Sequence, residues 1–166
     1  MEGRHLKGTT MEYRELIDAF AAKYGMAKPP GEGDVETVEI DGTRVTFRED
    51  PKARAVILSA QVGEMPPDEK GRFASILLKA SGLLSANGEG AFCVDEDDVF
   101  HAVRSIPLAH ADADGLSSAL ESLVDLAEMW RDNADAFTNV DDEIATREFE
   151  ERALNPLFGD PNIIRV

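Results

Sequence analysis

Residues 38–47 read VEIDGTRVTF, and this short stretch decides the fold. Apolar side chains alternate with polar ones on both sides of Asp41-Gly42, which is the period of a half-buried strand. Asp-Gly is a preferred two-residue hairpin turn, because both of its positions need positive φ angles. The stretch therefore predicts two antiparallel strands. A further turn at residues 50–52 leads into residues 55–62, which are largely apolar on both faces and predict a central third strand.

Apolar residues recur at helical spacing in three other segments, and we predict helices over residues 9–25, 65–87 and 112–130. The first has the spacing of a capping box at Thr9 and Glu12, and Gly25 stands where a helix C-terminal glycine belongs. Either Asp112 or Asp114 caps the third helix.

Two more strands are predicted between the second and third helices, at residues 91–95 and 99–108, joined by a tight turn at Glu96-Asp97. The order is then helix, three strands, helix, two strands, helix. Links of hairpin length cannot make parallel crossovers, so this order predicts an α+β fold with an antiparallel sheet.

The chain has 166 residues, 43% of them hydrophobic, which suits one domain with a real core. We place that domain at residues 11–137. It follows a flexible N-terminal extension at residues 1–10 and precedes an acidic C-terminal tail at residues 138–166, which we expect to be partly helical or mobile.

The charge balance excludes several classes of partner. Asp and Glu number 33 and Lys and Arg 17, for a formal net charge of −16. Such a surface repels phosphate groups, so we expect neither nucleic acid nor membrane as a partner. The single cysteine cannot form an internal disulfide, and no apolar run reaches the length of a membrane span or a signal-peptide core. We therefore expect a cytoplasmic protein.

Cys93 and His101 are the first candidates for catalysis, because a nucleophilic thiol needs a base within hydrogen-bond distance. With a turn at Glu96-Asp97, Cys93 faces Phe100, and His101 lies on the opposite face of the sheet. Only a three-residue loop would pair the two residues. The pattern favours a small buried cysteine in an apolar strand.

Asp112 and Asp114, with Gly115 and Glu121, have a spacing that is typical of calcium loops. His110 stands in place of the first acidic ligand, however, and a strand rather than a helix precedes the segment. Helix capping accounts for these residues without a metal. We therefore expect no enzyme activity, no cofactor and no metal site.

Four motifs follow one another in the C-terminal half: LLSAN at residues 83–87, GAFCVD at 90–95, SIPL at 105–108 and a helix that closes with Trp130. They are similar to the L-L-x-A-N, G-x-x-L-x-x-D and x-L-P-L motifs and the common tryptophan of the Tir chaperone (CesT) family. These are the small acidic chaperones of bacterial type III secretion. The resemblance covers residues 65–136.

The resemblance implies a homodimer that acts without nucleotide. It binds the N-terminal region of a secreted effector, keeps that region non-globular and delivers it for secretion. YbjN-like proteins share much of the same element order. The alternative is therefore a regulatory or stress protein of the same fold without a secretion role.

Two sets of site residues follow. The apolar stripe of the second helix is broader than one sheet face can cover, so we predict a dimer interface there, at Phe73, Ile76, Leu77, Ala80 and Leu84. Client contacts are expected on the helix-free face of the sheet and on the first helix, at Ile17, Ile57, Phe92 and Val94. An ordinary core role is the alternative for every one of these residues.

Overall fold

The computed structural model describes residues 12–26, 35–66 and 70–133. The helices are α1 (Tyr13–Lys23), α2 (Lys70–Ala86) and α3 (Ala113–Asn133), with a short 3₁₀ helix (Leu108–His110) before α3. The strands are β1 (Val35–Ile40), β2 (Thr43–Asp50), β3 (Ala55–Glu64), β4 (Ala91–Val94) and β5 (Val99–Pro107). The predicted element order and the α+β class are confirmed. The predicted extension at residues 1–10 and tail at residues 138–166 lie outside the described residues.

One antiparallel sheet contains the five strands, in the spatial order β1-β2-β3-β5-β4. Ile40 pairs with Thr43, and the φ angles of Asp41 and Gly42 are 49° and 78°, so the predicted Asp-Gly turn is confirmed. β3 lies at the centre, between β2 and β5. Its register against β5 shifts between Gln61 and Gly63.

The core lies between one face of this sheet and the three helices, with α2 contributing Phe73, Ile76 and Leu77. Side chains at alternate strand positions, such as Val45, Phe47 and Leu58, point to that face and are at most 2% exposed. Trp130 of α3 is fully buried, and its ring centroid lies 6.4 Å from that of Phe73 in an edge-to-face contact. The opposite face of the sheet has no helix packed on it within the described ranges.

The start of α1 differs from the prediction. Glu12 has an extended backbone and is the N-cap, and its N–H donates to Glu15 Oε2 at 3.2 Å, which forms a capping box. The helix therefore begins after Glu12 and not near Thr9, which lies outside the described residues. Gly25 has φ 63° directly after the helix end, as predicted.

Candidate functional site

The face of the sheet that carries no helix is the broadest candidate surface, and we call it the open sheet face. Side chains alternate along each strand, so the strand register identifies the residues on this face. They form three rows across the strands: Glu39, Arg44, Gln61, His101 and Cys93; Thr37, Thr46, Ser59, Val103 and Ala91; Arg48, Ile57 and Ser105.

The three described rows of the open sheet face carry two arginines and several hydroxyl groups beside one exposed carboxylate, that of Glu39. Arg44 and Arg48 are exposed, and neither guanidinium has a carboxylate within ion-pair distance in the part of the chain that the structure describes. Hydroxyl groups lie between them, and the Oγ1 atoms of Thr37 and Thr46 are 3.5 Å apart. Half-buried Ile57 and Val103 supply the apolar centre. The surface therefore suits a chain that carries both carboxylates and apolar side chains.

A groove of about 390 Å³ adjoins this face where β5 continues beyond the end of β4. Its wall is formed by Ile57, Ser85, Gly88, Gly90, Ala91, Val103, Arg104 and Ser105. The last β4 pair is Ala91 with Val103, whereas β5 runs on to Pro107, so this part of β5 is an edge. Gly90 closes the groove next to β5: its φ is 131°, and a Cβ there would lie 2.3 Å from the Val103 carbonyl oxygen.

The predicted client residues do not share one surface. Ile57 lies on the open sheet face. Ile17 is 2% exposed and belongs to the core. Phe92 and Val94 pair with Ala102 and Phe100, so they lie on the helix-covered side, where the Phe92 ring is 4.6 Å from the Trp130 ring. Val94, at the end of β4, is 43% exposed.

The predicted dimer residues are buried within the single chain. Phe73, Ile76, Leu77, Ala80 and Leu84 are between 0 and 5% exposed. They face the core and leave no side-chain surface for a second copy. A dimer through α2 stays a prediction, and any such dimer must use the other side of the helix.

That other side carries an exposed stripe of small residues around one leucine. It consists of Gly71, Ser75, Leu78 and Gly82, spaced four, three and four residues apart, and we call it the outer stripe of α2. Leu78 is 73% exposed. A Cβ added at Gly71 or Gly82 would meet nothing within 4 Å, so neither glycine is needed for packing inside the chain.

The inner side of α2 covers the outer edge of β4. Ser81 Oγ accepts the N–H of Phe92 at 2.8 Å, and Ser85 Oγ donates to the Gly90 carbonyl at 3.0 Å. The Ser81 hydroxyl thus binds a backbone N–H on the outer edge of β4. Without it, that N–H could pair with another strand.

The β4–β5 hairpin corrects the predicted register. Asp98 has φ 60°, the loop contains three residues, and Cys93 pairs with His101. Cys93 is exposed rather than buried, so that expectation was wrong. Partial burial of the sulfur, followed by the nearby Asp95 carboxylate, raises the pKa of the thiol, and His101 Nε2 bonds to Asp95 Oδ2 at 2.9 Å. A raised thiol pKa is the opposite of the change that activates a nucleophilic cysteine.

The calcium-like segment caps α3, as predicted. Asp112 Oδ1 accepts the N–H of Gly115 at 2.7 Å, and Asp114 binds Lys23 Nζ at 2.6 Å. The hydrogen bond from Lys23 lowers the pKa of Asp114. Among the described residues, no three His, Cys, Asp or Glu side chains are grouped to hold a metal ion.

Sequence reasoning missed the residues that give the open sheet face its charge. Arg44 and Arg48 are four apart on β2, and strand alternation had already placed both on the polar side of the hairpin. Two arginines on one side of a strand in so acidic a chain were the available signal. Leu78 lies at the same helical spacing as the apolar residues of α2, and spacing alone does not identify it as the exposed one.

Known structures share this fold. A chain in the structure of the HopA1–SchA chaperone–effector complex aligns with a TM-score of 0.65 at 19% identity, covering 75% of this chain and 96% of that one. The ExsC–ExsE complex gives 0.63 at 20% identity, with 74% and 93% covered. The ExoT–SpcS complex from Pseudomonas aeruginosa gives 0.56 at 17% identity, with 70% and 95% covered. Comparison with curated protein sequences gave no significant match.

A family assignment comes from the sequence profiles. The profile described as Tir chaperone protein (CesT) family matches residues 15–131, which run from the first turn of α1 to the last turn of α3. In the structure, no helix of the described ranges is both long enough and apolar enough to cross a membrane. The chain belongs to the Tir chaperone protein (CesT) family.

Proposed function

We propose that this chain is a cytoplasmic, homodimeric chaperone of type III secretion. It binds the N-terminal region of a secreted effector and keeps that region non-globular and competent for secretion. It does so without catalysis, nucleotide or metal. Membership of the CesT family is the observation that carries the proposal, and it favours this function over the YbjN-like alternative.

Two features of the surface support client binding. The open sheet face offers apolar contacts at Ile57 and Val103, and the groove next to it exposes the backbone edge of β5 at Ser105. An extended peptide can bind such a site through main-chain hydrogen bonds, with alternate side chains in apolar pockets. Ordering an unfolded segment costs roughly 2–5 kcal/mol or more, so a client must bury a large surface along the chaperone.

The outer stripe of α2 supports the dimer. Small residues let two helices approach closely, and Leu78 at the centre of the stripe supplies the apolar side chain that a partner would cover. A dimer through this stripe leaves the open sheet face of both copies available to a client.

Co-expression with the secreted proteins encoded beside its gene tests the function. We expect an N-terminal fragment of one of them to co-purify and to resist limited proteolysis only in the complex. Ile57→Asp should weaken this capture about tenfold or more, because it replaces the apolar centre of the face with a carboxylate that can pair with Arg48 opposite it.

Ala22→Asp, at an exposed position of α1, is the matched control and should capture the fragment as the wild type does. Circular dichroism checks that both variants are folded. If none of these secreted proteins gains protease protection, the proposed function is wrong.

A further inference from the structure

Residues 134–166 follow the end of α3 and contain eight acidic residues and three arginines. We propose that their central part, residues 141–158, docks on the open sheet face of its own chain. We call these residues the acidic segment. The consequence for the client rests on the proposed function: the docked segment occupies the surface that a client needs, so a client must displace it.

The end of α3 lies at the rim of the open sheet face. Arg131 donates from Nε to the Val62 carbonyl at 3.1 Å and from Nη2 to the Gln61 carbonyl at 3.0 Å and to Thr43 Oγ1 at 3.1 Å. Thr43 faces the helices, so the next residue, Arg44, lies on the open side, as does the side chain of Gln61. The chain therefore leaves α3 on the helix-covered side, next to the strand ends that carry the first row, and has to pass round these ends to reach the open sheet face.

The length of chain after α3 is sufficient to reach that face. Residues 134–140 can span up to about 23 Å at roughly 3.3 Å per residue. The distance along β2 from Arg44 to Arg48 is about 13 Å at the rise of a strand. The acidic segment can therefore begin at the rim and still reach the arginine in the third row.

Charge and side-chain chemistry match between the two surfaces. Three other cations of the described chain have partners: Lys23 binds Asp114 at 2.6 Å, Arg54 lies 3.6 Å from Glu12, and Arg131 is held by backbone oxygens. Glu39 lies opposite Arg44 in the strand register but forms no ion pair with it, and Arg48 has no carboxylate opposite it on β3, so both arginines can attract carboxylates from elsewhere.

The acidic segment has six carboxylates and two arginines, with apolar side chains between them at Ile144, Phe149, Leu154, Leu157 and Phe158. Ile57 and Val103 offer the apolar surface that such side chains can cover. In the docked state, the carboxylates lie near the two arginines. The apolar side chains of the segment cover the apolar centre of the open sheet face.

Two other occupants fit less well. A second copy packed face to face would bring its own Arg44 and Arg48 towards these two, which is unfavourable for like charges. A client is a separate molecule, whereas a segment joined to α3 by a short link has an effective concentration that can reach the millimolar range. The segment of the same chain is thus the occupant in the free protein.

Cys93 provides a way to test docking in the full-length protein. It is the only cysteine, it is exposed, and it lies in the first row of the open sheet face. A nitroxide attached there broadens amide signals of nearby residues in nitrogen-15-labelled protein. We expect the acidic segment to lose amide intensity when the label is paramagnetic and to regain it when the label is reduced.

Charge reversal supplies the matched comparison. Arg44→Glu with Arg48→Glu should abolish the intensity loss in residues 141–158. Lys52→Glu, in the exposed turn between β2 and β3, should leave it unchanged. Salt at about 1 M, where the screening length is about 3 Å, should reduce it in the wild type.

The proposal is wrong if the acidic segment keeps full intensity in the wild type, or if the double variant shows the same loss. It is also wrong if the loss arises only between molecules. To detect that case, nitroxide-bearing protein without nitrogen-15 is mixed with nitrogen-15 protein that carries no nitroxide, so that any intensity loss arises between molecules. No client is present in this experiment, so its failure leaves the proposed chaperone function standing.

Discussion

At the scale of single residues, the carboxylate of Asp95 organises the tip of the β4–β5 hairpin. Its Oδ1 accepts the N–H groups of Asp97 and Val99 at 3.0 and 2.9 Å, and its Oδ2 bonds to His101. The bond to His101, followed by the one from Val99, lowers the pKa of Asp95 below its ordinary value of 3.8. Sequence alone did not reveal this arrangement, because it depends on Asp98 adopting a left-handed conformation that few non-glycine residues adopt.

The lowered pKa of Asp95 predicts a pH dependence of stability. A carboxylate whose pKa is lower in the folded state stabilises that state above its unfolded pKa and stops doing so as the pH falls through the folded pKa. Asp95→Asn should therefore lower the free energy of unfolding at neutral pH, and its difference from the wild type should shrink below pH 3.8. Urea unfolding across this pH range measures the difference.

The exposed neighbour Asp97 supplies the control, and Asp97→Asn should behave like the wild type throughout. A difference between Asp95→Asn and wild type that is the same at every pH contradicts the role assigned to the carboxylate.

Gly90→Ala should destabilise the protein by about 1–3 kcal/mol, because it combines a strained φ of 131° with a methyl group placed against the Val103 carbonyl. Gly71→Ala, in α2 with open space around its Cβ in the single chain, should instead stabilise that chain by about 0.5–1 kcal/mol. Equilibrium unfolding in urea measures both. Equal effects of the two substitutions would show that β5 does not constrain Gly90.

At the scale of elements, sequence patterns predicted the strands better than the surfaces. Alternation around Asp41-Gly42 predicted the first hairpin with its register, since that turn type allows only one pairing. The stripe of α2 was recognised as too broad for one sheet face, but apolar spacing cannot tell a core side chain from an interface side chain. Only the three-dimensional arrangement shows that Ile76 and Leu77 are buried while Leu78 is not.

The outer stripe of α2 gives a prediction about assembly. Leu78→Glu should weaken the dimer about tenfold or more, because it places a charge at the centre of the contact. Light scattering coupled to gel filtration, over a range of protein concentrations, measures the dimer fraction. Ser118→Glu, at an exposed position of α3, is the control and should leave that fraction unchanged.

Gly82→Ala sharpens this test. In the single chain it should stabilise α2 by up to about 1 kcal/mol, since alanine is the better helix former and its methyl group meets nothing there. A dimer weakened by the same substitution would identify close helix approach at this position. If Leu78→Glu dimerises as the wild type does, the interface lies elsewhere.

At the scale of the whole molecule, the net charge of −16 conceals an uneven distribution. Acidic side chains concentrate on the outer side of α3, at the tip of the β4–β5 hairpin and in residues 134–166, whereas the open sheet face exposes two arginines. The composition predicted which partners are repelled, but it could not predict this face. Which charged side chains share a face depends on which strands become neighbours. The net charge of the chain does not contain that information.

The position of β5 also has a consequence for how the chain acquires its structure. Ala55 pairs with Pro107 and Glu64 with Val99, so all of α2 and β4 must be synthesised before β3 gains its second neighbour. At about 5–20 residues per second, the ribosome needs about 2–7 seconds to make this intervening stretch. During that interval one edge of the apolar central strand has no partner within its own chain. Contacts so distant in sequence also slow folding, so completion of the sheet should be a late kinetic step.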